Sequence, residues 1–270
     1  MYTLKTAVAI ACLMSSTAFA GPFILAGTDA DDHGSVSGGA NLDGWLFMQK
    51  ALENLGAGVS NTNKTVAILG STSSALNAAS SAFGLSSLVG AGWNSSAIST
   101  SNFADFFGGI GAVNINNVGI LLMDSGGNVG GGVNGSAFTP YASTINSFVG
   151  GGGGLFSQAN GYAWLTALLP AVTVIGESST GISLTAAGNT NFPGLTNADL
   201  SAGPYHNRFE GFSPIPVLGT SNATGNAIII GGTGGSITDP GNSVPEPASL
   251  ALLGIGLIGL AAARRNRRNG

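Results

Sequence analysis

In this 270-residue chain, the side chains that could bind a cation, transfer a proton or act as a nucleophile come directly after apolar segments. An acidic turn follows PFILAG at 22–27, an aspartate follows VGILLM at 118–123, and a serine and a glutamine follow GGLF at 153–156. Carboxylates and imidazoles can bind cations or transfer protons, and a serine hydroxyl can act as a nucleophile beside a base. The residues are Asp29, Asp31, Asp32 and His33 in the first turn, then Asp124, Ser157 and Gln158.

The acidic turn places four potential metal ligands within five residues, a pattern that suits a divalent cation such as Ca²⁺. Asp29, Asp31 and a glycine at the sixth position, Gly34, follow the spacing at the start of an EF-hand loop. The twelfth position is Ala40, where that loop needs a bidentate glutamate, so an EF-hand is excluded. Two interpretations stay open: a divalent-cation site of another kind, and a solvated turn, which Asp and Gly favour.

A serine hydrolase would need a base and an orienting acid beside its nucleophile. His33 and His206 are the two histidines, and Glu210 or Asp124 could orient one of them. The catalytic candidates are therefore Ser157, His206 and Asp124, although the segment around the serine lacks the G-x-S-x-G pattern of nucleophile elbows. The glycine runs at 126–132 and 150–154 lack the P-loop lysine, so we expect flexible or close-packed turns there.

Apolar segments of strand length alternate with helical patterns between residues 22 and 231. We predict helices at 41–56, 73–84, 101–109, 134–151 and 161–169, and strands at 22–27, 65–70, 118–126, 153–158, 172–177, 214–220 and 227–232. Continuous apolar strands between amphipathic helices favour a flavodoxin-like three-layer α/β sandwich with a mostly parallel sheet. Its carboxyl edge would bring the three polar turns together. The alternative is an all-β sandwich or β-helix, which the high Gly, Ser and Asn content would suit.

Charge is scarce and uneven. Between residues 21 and 243 the strong bases are Lys50, Lys64 and Arg208 against eleven acidic residues, a formal charge of −8. Such a surface repels the phosphate backbone, so we expect no nucleic-acid partner. The single cysteine, Cys12, lies near the start of the chain, which leaves the middle without a disulfide or a thiol nucleophile.

Residues 1–20, MYTLKTAVAIACLMSSTAFA, follow the pattern of a cleaved signal peptide. A lysine precedes an apolar run at 7–14, which is too short to span a bilayer, since a span needs roughly 20 residues. Ala18 and Ala20 occupy the two small-residue positions of a signal-peptidase site, so we predict cleavage after Ala20 and export of the chain.

The C-terminal segment 244–268 reads VPEPASLALLGIGLIGLAAARRNRR, with an apolar stretch at 248–263 that predicts a transmembrane helix. A Gly/Ser-rich linker at 232–243 precedes it. The basic end marks the cytoplasmic side, and its residues are Arg264, Arg265, Arg267 and Arg268.

This segment resembles the PEP-CTERM sorting signal through Pro245, Glu246 and Pro247, the apolar helix and the basic end. The resemblance implies recognition by an exosortase, a membrane-embedded cysteine protease. The chain would pass from an inner-membrane anchored intermediate to the cell surface or the extracellular matrix, where exopolysaccharide is an expected partner. The alternative is a permanent membrane anchor.

The middle of the chain, 21–231, is similar in the order of its segments to the class I glutamine amidotransferase-like superfamily, in particular its ThuA-like branch. The segments are FILAGTDADDHG, GGGGLFSQANGYAWLTALLP, NTNFPGLTNADL, GPYHNRFEGF and PVLGT. Amidotransferases of that superfamily carry a cysteine after the strand that here ends in GLFSQ, where this chain has Ser157 and Gln158. We therefore expect an exported domain that is non-catalytic or ligand-binding. The alternative is an extracellular hydrolase or sugar-processing enzyme.

Overall fold

The structure is a computed structural model that describes residues 21–124, 126, 130–158 and 161–232. The predicted signal peptide at 1–20, residues 233–243 of the linker predicted at 232–243, and the C-terminal signal with its transmembrane helix at 248–263 lie outside these residues. Gly232 is described and belongs to a strand. None of the helices in the described ranges combines the length and the apolar character that a membrane crossing requires.

The secondary structure of the described residues alternates strands with short helices. The strands are β1 (Phe23–Ala26), β2 (Gly34–Ser37), β3 (Ala40–Asp43), β4 (Thr65–Leu69), β5 (Asn94–Ile98), β6 (Ile120–Met123), β7 (Gly154–Ser157), β8 (Thr173–Thr180), β9 (Ile182–Leu184), β10 (Pro204–Glu210), β11 (Val217–Ser221) and β12 (Ala227–Gly232). The helices are α1 (Gly44–Gly58), α2 (Ser73–Gly84), α3 (Ser87–Gly90), α4 (Phe103–Phe107), α5 (Ala142–Gly150), α6 (Ala186–Asn191) and α7 (Asn197–Leu200). Single 3₁₀ segments occupy Thr100–Asn102, Gly135–Tyr141 and Leu165–Ala167.

Ten of these strands form one large mixed sheet. Its parallel part has the spatial order β5-β4-β6-β7-β1, and β12 continues it antiparallel to β1. Strands β10 and β8 extend the sheet beyond β12, while β11 and β9 branch from β12. The predicted α/β class is confirmed, and the all-β alternative is wrong because helices cover the sheet.

The strand order differs from that of flavodoxin. Numbered along the chain, the parallel strands have the order 3-2-4-5-1, whereas flavodoxin has 2-1-3-4-5. The difference lies in β1, which pairs with β7 at the far side of the parallel part instead of lying beside β4. Helix α1 makes this long crossover by packing across β7, β1 and β6 on its way to β4. As a result, the acidic turn after β1 lies next to the end of β7.

Both faces of the sheet are buried, which explains why its central strands are continuously apolar. In β1, Phe23 and Leu25 point into one core with side chains of α4 and α5. Ile24 and Ala26 point into a second core with side chains of α1 and α2. The period of two along the strand therefore divides its side chains between two separate cores.

Most predicted elements are confirmed, and the helix at 73–84 has the predicted bounds. The predicted helix at 41–56 begins only at residue 44, because residues 34–43 form the β2–β3 hairpin. The predicted helix at 161–169 is wrong, since only Leu165–Ala167 form a 3₁₀ turn there. Strands β5, β9 and β10 were not predicted. Strand β5 is a largely exposed edge strand of sequence NSSAI, and β10 has the polar sequence PYHNRFE.

Candidate functional site

Four parallel strands end at one edge of the sheet, and each is followed by polar side chains. The acidic turn follows β1, Ser71 follows β4, Asp124 follows β6 and Gln158 follows β7. The connections reverse direction between β4 and β6, since β4 leads to β5 on one side and β6 leads to β7 on the other. Open α/β sheets bind ligands outside the carboxyl ends of their strands at such a reversal. This carboxyl edge is therefore the candidate functional site.

Two buried carboxyl groups meet at this edge. Gln158 Nε2 donates to Asp31 Oδ1 and to Asp124 Oδ1, each at 3.3 Å. Ser71 Oγ donates to the other oxygen of Asp124. We call Ser71, Asp124, Gln158 and Asp31 the carboxylate network. Its members come from the ends of all four strands, so the sheet itself positions them.

Burial dominates the chemistry of Asp124. Its side chain is fully inaccessible to solvent, and loss of hydration raises the pKa of its carboxyl group to about 7. Hydrogen bonds from Ser71 and Gln158 act in the opposite direction without overcoming the effect of burial. Asp124 can therefore exchange a proton near neutral pH.

A second group joins one buried carboxylate to two histidines. Asp29 Oδ2 lies 3.0 Å from His206 Nε2 and 3.5 Å from His33 Nε2. His206 arrives from β10, where its backbone N–H donates to the carbonyl of Gly27 at 2.6 Å. Its other ring nitrogen, Nδ1, lies 3.4 Å from Ser178 Oγ. The short loop after β1 and the middle of β10 thus bring His33 and His206 to Asp29. We call these two histidines the histidine pair.

A surface pocket of about 430 Å³ opens beside the carboxylate network. Trp45 Nε1 donates to the backbone carbonyl of Asp31 at 2.8 Å, which fixes the indole in the pocket wall. The pKa of Asp32 is raised, first by burial and then by the negative charge of Asp29, while His33 lowers it. The lining consists of Asp31, Asp32, His33, Trp45, Ser74, Gly34 and Gly130.

His33 also lines a smaller cavity of about 10 Å³. Its wall includes Thr28 and Asp29, which are 5% and 6% exposed. Thr28 Oγ1 and Asp29 Oδ1 are buried and have no hydrogen-bond partner. The remaining wall combines apolar and polar residues: Ala30, His33, Gly44, Phe47, Asp199, Leu200, Gly203 and Pro204.

The three candidate catalytic residues occupy different parts of the edge. In His206, Nε2 faces Asp29 and Nδ1 faces Ser178. Asp124 accepts hydrogen bonds from Ser71 and Gln158. Ser157 is buried at the end of β7, where its backbone carbonyl accepts a hydrogen bond from Tyr162. His206 is thus directed to the loop after β1, not to Ser157.

The four candidate metal ligands also point to different neighbours. His33 Nε2 lies 3.5 Å from Asp29 Oδ2, and Asp31 belongs to the carboxylate network, while Asp31, Asp32 and His33 all line the larger pocket. Within the described residues, no group of three or more His, Cys, Asp or Glu side chains is arranged to hold a metal ion. The binding of a divalent cation by this turn stays a prediction.

Sequence reasoning did not assign roles to Thr28, Ser71, Trp45 or Ser74. Ser71 had a readable signal, because it follows strand β4 as Asp124 follows β6. Trp45 and Ser74 lie in the first turns of α1 and α2, and only the packing of those helices brings them to the pocket. The partnership of Asp29 with His206 depends on β10, which the sequence analysis did not find.

Comparison with known protein families matches residues 243–268 to the PEP-CTERM protein-sorting motif. This identifies the C-terminal segment as a sorting motif of the kind that exosortases process. No curated protein matches the chain. No solved structure matches it either, so the resemblance of the folded part to the glutamine amidotransferase-like superfamily stays a prediction.

Proposed function

We propose that this chain is an exported protein that an exosortase cleaves and delivers to the cell surface or the extracellular matrix. The observation that carries the proposal is the sorting motif at residues 243–268. Signal peptidase would first remove residues 1–20 after Ala20, and the apolar helix at 248–263 would hold the inner-membrane intermediate. The basic residues after the helix would keep its end in the cytoplasm.

The test compares the full chain in a host with an exosortase and in the same host without it. We expect wild-type chain to leave the inner membrane only where the exosortase is present. Replacing Pro245, Glu246 and Pro247 by alanine should leave the signal-cleaved chain in the inner membrane at full length. Pro240→Ala, in the linker, is the matched control and should behave as wild type. Persistence of the uncleaved wild-type chain in the exosortase-positive host would contradict the proposal.

We further propose that the folded domain binds a small ligand at the carboxyl edge. The larger pocket supports this, because about 430 Å³ lies within the range of small-molecule sites. A valine at Gly130 would project toward Asp32 Oδ1 and Ser74, so Gly130→Val should narrow the pocket. The control is Gly176→Val on β8, where an added side chain meets open space.

The measurement is thermal unfolding of the full chain with panels of amines, carboxylic acids and sugars. We expect one class of compound to raise the melting temperature of wild type and of the Gly176→Val control, and not that of Gly130→Val. The ligand-binding role is wrong if no class of compound distinguishes the two variants.

One observation favours hydrolysis as a second function. A carboxyl group with a pKa of about 7 suits general acid–base catalysis near neutral pH, and Asp124 has one. Asp124 is fully buried and does not line the larger pocket, so this function requires the site to open beside Asp31, which lines that pocket and is joined to Asp124 through Gln158. Esters and glycosides are the substrates to test, with Asp124→Asn as the inactive variant. If the Asp124→Asn variant still hydrolyses the substrate, the carboxylate network does not catalyse the reaction.

A further inference from the structure

The hydroxyl group of Ser178 lies at one end of a line of three polar side chains. Ser178 Oγ is 3.4 Å from His206 Nδ1, and His206 Nε2 is 3.0 Å from Asp29 Oδ2. A serine, a histidine and an aspartate in this order are the arrangement of a serine hydrolase, which is recognised by geometry and roles and not by sequence position. The serine and the acid differ from the sequence candidates Ser157 and Asp124.

The pairing of β8 with β10 brings Ser178 to His206. The register of this antiparallel pair shifts between Tyr205 and Asn207, so that two residues of β8, Glu177 and Ser178, lie opposite His206 alone. An extra residue of this kind is a β-bulge, which redirects side chains and is common next to active sites. The irregularity in the sheet thus coincides with the contact between the hydroxyl group and the imidazole.

Asp29 determines which nitrogen of His206 can act as a base. An ionised carboxylate only accepts hydrogen bonds, so the ring hydrogen belongs on Nε2, which faces it. In the neutral ring, Nδ1 then has the free electron pair and can take a proton from the Ser178 hydroxyl group. His33 Nε2, at 3.5 Å from the same oxygen of Asp29, is the longer contact. The carboxylate is 6% exposed and would stabilise the imidazolium that forms.

The serine and the histidine are open to solvent, whereas the aspartate is buried. Ser178 is exposed on β8, which is the last strand of the sheet on its side, and the side chain of His206 is 32% exposed. Water and a substrate can therefore both reach the hydroxyl group. An open position of this kind suits a small ester or one that protrudes from a larger molecule. The contact of 3.4 Å is long, as such contacts often are before a substrate binds.

We propose that Ser178, His206 and Asp29 form a site, separate from the carboxylate network, that hydrolyses small esters. Ser178 Oγ attacks the acyl carbon while its proton passes to His206 Nδ1, and the leaving alcohol takes that proton as the ester C–O bond breaks. Water then gives a proton to Nδ1 and attacks the acyl-serine, and Nδ1 returns the proton to Ser178 Oγ as the acid leaves. Ser178 and His206 are the catalytic residues, and Asp29 is a positioning residue.

The first experiment treats the full chain, purified in a nonionic detergent, with p-nitrophenyl acetate near neutral pH. Release of p-nitrophenolate measures turnover, and mass spectrometry of peptides from acid-quenched samples locates the acetyl group. We expect an acetyl group on Ser178 and turnover that Ser178→Ala abolishes. Because Ser178 is exposed, this variant should fold as wild type.

The matched control is Ser179→Ala. It removes the hydroxyl group of the next residue in β8, whose side chain points to the other face of the strand. We expect this variant to turn over the ester as wild type does. An absence of turnover in wild type, or equal turnover in wild type and Ser178→Ala, would overturn the proposal.

The second experiment tests the roles of the other two residues. His206→Gln should lower turnover by at least about 100-fold, the lower end of what general-base catalysis contributes. Asp29→Asn should change the NMR signals of the ring nitrogens of His206, because an amide can donate to Nε2 and thereby move the ring hydrogen to Nδ1. A merely structural aspartate would leave the position of this hydrogen unchanged. Full turnover in His206→Gln would overturn the proposal, and an unchanged ring hydrogen in Asp29→Asn would overturn the positioning role.

The same assay separates this site from the carboxylate network. Turnover that Ser178→Ala abolishes and Asp124→Asn retains supports the Ser178 site and excludes the network as the ester hydrolase. Turnover that Asp124→Asn abolishes and Ser178→Ala retains would assign ester hydrolysis to the network and overturn the proposal made for Ser178. Neither result bears on sorting by an exosortase or on ligand binding in the larger pocket, because Ser178 takes part in neither.

Discussion

Asp124 shows how strongly a single position in this fold can change side-chain chemistry. It follows a strand that is buried on both faces, so its carboxyl group enters the interior with the strand. The neutral form is favoured there because burial penalises the charge more than Ser71 and Gln158 stabilise it. In a solvated turn, the carboxyl group of an aspartate would not undergo this rise in pKa.

This environment predicts how stability changes with pH. Because the folded chain holds the Asp124 proton up to about pH 7, it binds more protons than the unfolded chain between about pH 4 and pH 7. Asp124 therefore lowers the free energy of unfolding as pH rises through this window, by at most about 1.4 kcal/mol per pH unit. Asp124→Asn should abolish that part of the slope, which urea unfolding at a series of pH values would measure.

The control for this experiment is Asp105→Asn, an exposed aspartate on α4. It makes the same substitution at an exposed position, so it tests whether the change in slope is specific to Asp124. A slope that is unchanged in Asp124→Asn would show that Asp124 is ionised in the folded chain throughout the window.

At the scale of elements, the contact between β1 and β10 decides whether the histidine pair forms. A side chain added at Gly27 would lie 1.9 Å from the carbonyl oxygen of Asn207, so only glycine allows the two backbones to approach this closely. The same approach places His206 beside Asp29. The geometry of the site thus depends on a backbone contact, which no property of the histidines themselves reveals.

Gly27→Ala should therefore separate β10 from β1. We expect a loss of about 1–3 kcal/mol in the free energy of unfolding, as for other overpacked positions. The imidazole resonances of His206 should also move in the NMR spectrum, because its distance from Asp29 increases. Gly176→Ala on β8, where the added methyl group meets nothing, is the control. Retention of the wild-type His206 resonances in Gly27→Ala would show that this contact does not position the histidine.

The sequence patterns predicted strands and helices well where the elements pack against the two cores. The apolar runs of β1, β4, β6 and β12 and the helical periodicity of α2 were readable because both faces of the sheet are buried. Strand β10 was not, because its inward residues Tyr205, Asn207 and Phe209 include an amide and alternate with His206 and Arg208. The position of β1 beside β7 was not readable either, because the crossover by α1 depends on packing between distant segments.

For the candidate site, the sequence predicted the location but not the contacts of each side chain. The rule that parallel strands end at one edge brought Asp31 and Asp124 into the same region of the sheet, where Gln158 joins them. The rule could not say which neighbours each side chain faces. Those neighbours depend on strand order and on β10. The catalytic and metal-binding groupings of these residues therefore stay predictions.

At the scale of the whole molecule, the distribution of charge separates the folded domain from the sorting motif. Four of the eight basic residues lie at 264–268, whereas the segment from 21 to 243 has an excess of acidic residues. A domain with only three strong bases and an arginine-rich end suit a chain whose domain crosses the membrane while its tail stays behind, because positive charge resists translocation.

The basic end therefore predicts a specific failure of retention. The test replaces four arginines by glutamine: Arg264, Arg265, Arg267 and Arg268. The apolar segment of this variant should no longer stop in the membrane. Signal-cleaved chain should then appear in the soluble exported fraction, even in a host without an exosortase. The matched control replaces the same four residues by lysine, which keeps the charge and should keep the chain in the inner membrane. Fractionation of both variants measures the outcome. If the glutamine variant stays in the membrane as firmly as the lysine variant, hydrophobicity alone retains the tail and the basic end has another role.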